Sequence, residues 1–320
     1  EAAIKVALLK FRETRGGLAE LDWDNFAAND LSNGSRLLQN NVSVLTFDYW
    51  KRGKTIGTES DSLIVEAKLP RLQYPISRNN QENRVEEDRA LAEVRSIIAE
   101  KEKANSPVGA IIIEPVTFLG NIVATPYYYR KLRETAKELG IPFIVDETRT
   151  GVGKTCKMWG HEHWFLDDAP DIVTFGTSAV ASGFFTTPDF RPLEQHKLTT
   201  IGNGSMEKIV AFKVILDYIK RKRLLDKLED TSSFIKVELE RVNKKKKHFA
   251  NIRGSGTMIG FDFSSYNETQ HFEKYMLKNG ILVAMVGPTT IGLRPSLLLE
   301  PRHAAYLRDA VIDYNPRYEL

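Results

Sequence analysis

The residues best placed to do chemistry lie between positions 140 and 200. Asp146 follows the apolar run Phe143, Ile144 and Val145, so it stands where a buried strand ends, with Glu147, Thr148 and Arg149 directly after it. A carboxylate there can hold a cation or a protonated ring nitrogen; it can equally be an ordinary loop acid or a helix cap. His161, Glu162 and His163 offer two imidazoles and an acid, but not at the i, i+4 spacing of a helical zinc site, so they read as structural. Between Lys157 and Lys197 there is no lysine, so that stretch carries no side-chain amine. Lys154 and Lys157 follow the strand-end turn and read as solvent-facing.

Alternating strands and helices must hold these residues. Residues 1–12 carry Ile4, Ala7, Leu8 and Phe11 at helical spacing, and 42–47 alternate and are β-rich, as a strand requires. Residues 87–104 put Leu91, Val94, Ile97 and Ile98 on one helical face; Pro107 then precedes a short apolar strand at 110–113. Thr125 and Pro126 have the types expected of an N-cap and first helical position, opening a helix over 127–139 that Gly140 stops. Strands follow at 143–145 and 172–175. The alternation predicts right-handed crossovers and a mostly parallel sheet, with ligands beyond the carboxyl ends of its strands.

After Gly202 the pattern changes to long amphipathic helices at 206–221 and 225–241, strands near 257–263, another helix, and a strand at 281–283. The expectation is an α/β protein with a large domain over 1–222 and a small C-terminal α+β domain over 223–320. A length of 320 residues is enough for both. The run Lys244 to Lys247 reads as a solvated helix end, and Tyr127, Tyr128 and Tyr129 as either a contact surface or packing against their own sheet.

Composition excludes several classes of function. With 45 Lys and Arg against 42 Asp and Glu, the net charge of +3 does not suggest nucleic acid or an anionic membrane as the main partner. Cys156 is the single cysteine, so there is no internal disulfide and no Cys-based zinc motif. No apolar run approaches the roughly 20 residues of a membrane-spanning helix. The first helix begins at Glu1 without a cap, which implies that upstream sequence, and any targeting peptide with it, has been lost.

The segment 140–151 (GIPFIVDETRTG), followed by Lys157-Met-Trp-Gly-His-Glu-His-Trp164 and Asp167-Asp168, resembles the class III pyridoxal-phosphate aminotransferases. The Trp-Gly-His-Glu-His-Trp element and Gly183-Phe-Phe185 point to the 4-aminobutyrate branch. The resemblance runs over nearly the whole chain. It includes residues 70–75 (PRLQYP), similar to the family's substrate-arginine segment, and 254–257 (GSGT), similar to its entry into the small domain. It implies the type I fold of pyridoxal-phosphate-dependent transferases, a large domain with a mostly parallel sheet plus the small α+β domain. It also implies pyridoxal phosphate as cofactor of an active member, and burial of the site between two subunits.

The resemblance assigns roles position by position. Asp146 would face the pyridine nitrogen and keep it protonated. Arg71 would hold a substrate carboxylate in a bidentate pair, although an isolated arginine also fits a surface ion pair. Thr199 would touch the cofactor phosphate across the subunit boundary. Ser178 takes the place of the Schiff-base lysine, and a hydroxyl supplies no amine. Leu119 and Gly292 stand where the family pairs an acid with an arginine. Lys51 and Arg52 stand where it offers an aromatic and a histidine, and the phosphate-binding turn would precede Glu1. Losing both members of a buried pair is often tolerated, whereas losing one costs about 3–5 kcal/mol.

These losses favour a catalytically inactive homologue with no cofactor expected, acting as a structural or interaction subunit. The resemblance implies a mitochondrial location and a dimer with itself or a related chain in a larger assembly. Two alternatives stay open: an active pyridoxal-phosphate-dependent aminotransferase for an ω-amino acid, or a non-catalytic binder of the cofactor or another anion.

Overall fold

The computed structural model describes residues 1–15, 42–47, 64–176, 180–191 and 204–316. Helix α1 (Ala2–Thr14) opens the chain. Strands β1 (Ser43–Phe47) and β2 (Ile64–Ala67) follow, then helix α2 (Asn80–Lys103), strand β3 (Val108–Ile113), helix α3 (Pro126–Glu138), and strands β4 (Phe143–Glu147), β5 (Ile172–Phe175) and β6 (Gly183–Thr186). The strands form one sheet in the order β2-β1-β3-β4-β5-β6. Every pairing is parallel except that of β5 with β6.

The apolar runs read from sequence become central strands because all of their residues are buried, six of six in β3 and five of five in β4. Such strands need cover on both faces. Helix α1 lies against the sheet at Gly109, where an added Cβ would fall 2.3 Å from Val42 Cγ1 and 2.8 Å from Leu8 Cδ2, so a larger residue fits only if those side chains shift. The crossover helices α2 and α3 add their apolar faces, with Leu91, Val94, Tyr128, Tyr129 and Leu132 in the same core. Thr125 caps α3 with Pro126 behind it, as its type suggests, but its hydroxyl donates to the buried Glu87 at 2.9 Å instead of accepting from the helix. Tyr128 and Tyr129 pack inward, and Tyr129 stacks on Trp164 with ring centres 4.0 Å apart.

Helices α4 (Met206–Lys222) and α5 (Leu224–Lys246) are separated by Arg223, whose φ of 49° breaks the helical run. Strands β7 (Ala250–Ser255) and β8 (Met258–Asp262), helix α6 (Tyr266–Lys278), strands β9 (Ala284–Met285) and β10 (Thr290–Leu293) and helix α7 (Pro301–Asp313) complete the described chain. Here the sheet is antiparallel, in the order β7-β8-β10-β9, around a core of Phe249, Phe261, Phe263, Phe272 and Tyr314. Within the run 244–247, Lys244, Lys245 and Lys247 are exposed, while Lys246 caps the end of α7 through the carbonyls of Ile312 and Tyr314.

Three expectations are corrected. Residues 281–283 form no strand; Leu282 is 87% exposed, and the pairing runs through β9 and β10 instead. Helix α2 begins at Asn80, seven residues before 87. Strand β6, not anticipated, closes the sheet with an antiparallel edge.

Candidate functional site

Asp146 and Glu147 end β4, and Glu114 directly follows β3. The two strands are in register up to Ile113 and Val145, so Glu114 and Asp146 stand at one level; Asp146 is still within β4, paired with Thr174 of β5, near the carboxyl end of the sheet. Asp146 is 3% exposed. Its Oδ1 accepts from the Thr148 backbone N–H at 3.0 Å, from the Thr148 hydroxyl at 2.6 Å and from the Thr174 hydroxyl of β5 at 3.0 Å. Three donors on one oxygen fix the orientation of the carboxylate.

Glu147 points elsewhere. Its carboxylate accepts from the Gly160 and His161 backbone N–H groups, each at 2.8 Å, and from the Thr150 hydroxyl at 2.5 Å, with His161 Nδ1 also 2.8 Å away. His163 Nε2 meets the Thr155 carbonyl at 2.8 Å. The two histidines thus fasten the turn after β4 to the segment 160–164, the structural role read from their spacing. Among the described residues no group of His, Cys, Asp and Glu is arranged to hold a metal ion.

A second cluster adjoins Glu114. The turn from Glu114 to Asn121 is held from within by the Phe118 N–H donating to Glu114 Oε2 at 3.1 Å. It is tied to the small sheet by the Gly120 N–H donating to the Val286 carbonyl at 2.7 Å and by Arg253 Nε donating to the Gly120 carbonyl at 2.8 Å. The Phe118 ring carries two cations, the Arg149 guanidinium 3.7 Å and the Arg294 guanidinium 4.6 Å from its centre. Arg149 also lies 3.5 Å from Glu114. Arg294, just after β10, donates through Nη2 to the Phe118 carbonyl and to Asn121 Oδ1. Its Nε is buried with no hydrogen-bond partner. Burial, then the charge of Arg149, lower the Arg294 pKa below the usual guanidinium range, with Glu114 opposing. Sequence reasoning missed Phe118, Arg149 and Arg294 as a group, because they come from three distant segments, the turn after β3, the turn after β4 and the residue after β10.

The positions of the expected ion pair are next to this cluster. Leu119 is half-buried on the turn. Gly292 lies in β10, where an added Cβ would stand 2.6 and 3.0 Å from the two methyls of Val286. Val286 is the residue whose carbonyl binds Gly120, so Leu119 and Gly292 are neighbours, and the volume beside Gly292 is already filled.

Arg71 is not drawn into either cluster by any described contact. It is exposed, and its backbone N–H donates to Glu86 Oε1 at 3.0 Å on α2. It lies on an open polar groove with Lys68, Glu82, Glu86 and Arg89. Three residues on, the Tyr74 hydroxyl is pushed up to about 12, chiefly by burial, with Arg253 and Asp262 of the small sheet as the nearest charges. Lys157 is exposed as expected, but Lys154 is not: its amine is half-buried and donates to the Pro295 carbonyl at 3.1 Å, and burial lowers its pKa. Ser178, Thr199, Lys51 and Arg52 lie outside the described residues.

The aminotransferase class-III family matches residues 53–313 of this chain. The chain is similar to the 4-aminobutyrate aminotransferase of Dictyostelium discoideum, 34% identical over 277 residues that make up 82% of this chain and 55% of that protein. Its similarity to the Emericella nidulans 4-aminobutyrate aminotransferase is 30% over 332 residues, 97% of this chain and 65% of that protein. With the mitochondrial 4-aminobutyrate aminotransferase of Sus scrofa it is 32% over 240 residues, 74% and 48% of the two chains. The chain therefore spans about half to two thirds of the length of these curated relatives. Among solved structures, a lysine aminotransferase from M. tuberculosis superposes with a TM-score of 0.75 at 17% identity, over 97% of this chain and 71% of that one. At that identity the likeness establishes the fold, a pyridoxal-phosphate-dependent aminotransferase fold with a mostly parallel sheet and a small antiparallel one.

Proposed function

Because the chain belongs to the class-III aminotransferase family, we propose that it is a member that no longer transfers amines and acts as a structural or interaction subunit. The observation that carries this reading is the closure at Gly292, where Val286 occupies the space that the family arginine would need, beside Leu119 where its acid would stand. Ser178 at the position of the Schiff-base lysine supports it from sequence. Of the nearby lysines, Lys154 is committed to the Pro295 carbonyl and Lys157 faces solvent.

The interaction half of the reading is supported by α4. Met206, Ile209, Val210, Val214 and Tyr218 recur at helical spacing and are all exposed, while Phe212, Ile215 and Ile219 on the other side of the helix pack against Val152 and Phe175. An apolar stripe of that kind suits a protein partner, and a dimer with itself or a related chain is the arrangement we favour. A mitochondrial setting is supported by the mitochondrial relatives alone. No helix among the described residues is long and apolar enough to cross a membrane. In the same reading the chain divides into a large unit over 1–222 and a small one over 223–320, a division that the break at Arg223 supports.

Asp146 favours a second reading, in which the chain still binds pyridoxal phosphate. A fixed, buried carboxylate near the carboxyl end of β4 fits the ring nitrogen of that group, whose chemistry when bound is to draw electrons from an amino substrate. Arg71 would then meet a substrate carboxylate and Thr199 the phosphate. The purified protein is expected to show no yellow chromophore and to form no glutamate from 4-aminobutyrate and 2-oxoglutarate. Glutamate production abolished by Asp146→Ala would overturn the inactive reading, and borohydride reduction with peptide mapping would then locate the lysine responsible.

A further inference from the structure

We propose that a cavity at the amino end of the large sheet binds a small organic cation, an ammonium group carried on an apolar body. This goes beyond the subunit reading and does not depend on whether the chain transfers amines.

The cavity has a volume of about 570 Å³, inside the range usual for small-molecule sites. On its wall Gly140, Ile141 and Pro142 lead into β4, Asp168 and Asp171 precede β5, and Thr187 and Phe190 follow the antiparallel β6. All of them stand at the amino ends of β4 and β5, the opposite end of these strands from Asp146. The last turns of α1 and α3 complete the wall. Phe11, Ile141 and Pro142 are buried and Phe190 is half-buried, which offers apolar surface to a hydrocarbon or aryl group. At Gly140 an added Cβ would meet no atom within 4 Å, so the space beside it is open.

The charges of the wall decide the ligand. Arg133 is held by Asp171 at 2.8 and 2.9 Å and by Asp168 at 2.9 Å. Lys137 lies 3.4 Å from Asp168, and Lys10 is paired at 3.1 Å with Glu13, which does not line the cavity. Arg133, Lys137 and Lys10 are thus answered by Asp171, Asp168 and Glu13. Asp189 is the lining carboxylate left over. Among the described residues it has no hydrogen bond and no ion pair, and Arg191, two positions on, is not bonded to it. The wall therefore carries one negative charge in excess, and the carbonyl ends of α1 and α3 add partial negative charge to it. One positive charge on an apolar body completes such a wall, whereas an anion meets Asp189 and both helix ends.

Heteronuclear NMR titration of the full chain with phenethylamine, with its uncharged counterpart phenethyl alcohol and with the anion phenylacetate, at constant ionic strength, tests the proposal. The amine is expected to shift the amides of Gly140, Ile141 and Phe190. It should bind about fivefold tighter than the alcohol, the upper range for one exposed charge pair, and phenylacetate should bind more weakly than either. D189N should bring the amine down to the affinity of the alcohol, while D230N, at an exposed position of α5, should keep the preference. Asp189 is exposed and has no bond to lose, so D189N should fold like the parent protein; if its amide spectrum shows otherwise, D189S carries the test. Absence of amine binding, equal binding of amine and alcohol, or a preference that survives in D189N would overturn the proposal. So would shifts centred on Asp146 and Thr148, which would put the amine at the other end of the sheet.

Discussion

The collision built into Gly292 makes a quantitative prediction. Replacing Gly292 by alanine puts a methyl 2.6 and 3.0 Å from the two Val286 methyls, and the three nearest atoms to it all belong to Val286. Forcing one methyl into a packed site costs about 1–3 kcal/mol. Against this stands about 0.4–1 kcal/mol gained because alanine restricts the unfolded chain. The net expectation for G292A is a loss of about 1–2 kcal/mol. V286A removes two methyl groups, at about 0.8 kcal/mol each plus a cavity term, so it should cost about 2 kcal/mol alone. In the double variant the new methyl enters the space those groups leave, and the losses should fall short of their sum by about 1 kcal/mol or more. Urea denaturation of the four proteins, followed by circular dichroism at constant slope, measures this cycle. A neutral G292A together with strictly additive losses would show that Val286 does not close the site, and the observation that carries the inactive reading would fall with it.

Three further outcomes are expected. E147A should destabilise the fold by about 3 kcal/mol or more, because it strands the buried Gly160 and His161 N–H groups and the Thr150 hydroxyl at once; E147Q, which keeps an acceptor oxygen, should cost less in the same denaturation assay. Burial works to raise Asp168, but Arg133 and Lys137 outweigh it and hold its carboxyl below the ordinary range. That stabilisation is therefore complete above about pH 4, the ordinary value for an aspartate, and is lost as pH falls through the lower folded value. The gap between the parent protein and D168N should close on acidification, and a gap that stays constant to pH 3 would contradict the assignment. Burial likewise raises the Cys156 thiol, so a thiol-reactive dye should label the native protein slowly and the urea-unfolded protein fast; equal rates would refute it.

What the sequence made legible was local. Strands β3, β4 and β5 stand out because central strands of a parallel sheet are largely apolar, and Asp146 stands out because the apolar run of β4 stops just before it, although the strand itself continues to Glu147. β6 did not stand out: it is four residues long, begins with glycine and has a half-exposed Phe185, so neither alternation nor full burial marks it. Residues Ile281, Leu282 and Val283 have strand-like composition but no ladder partner, whereas the two-residue β9 exists only through its pairing with β10. The half-buried Lys154 amine donates to the carbonyl of Pro295, 141 positions away, which no local pattern reports. The arginine cluster was hidden for the same reason, since its three members meet only when the turn at Phe118 reaches the end of β10.

The fastening of that turn has a consequence for how the protein can change over time. Its link from Gly120 to Val286 runs between backbone atoms on both sides, and the link from Arg253 ends on a backbone carbonyl. Replacing side chains around the turn leaves peptide groups where they were, and among substitutions only proline at Gly120 would delete the donor. The Gly120–Val286 link is thus indifferent to most side chains around it, whereas the second link depends on the Arg253 guanidinium and Gly120 on its φ of 80°. Side chains lining the turn can therefore be exchanged while that backbone link stays closed.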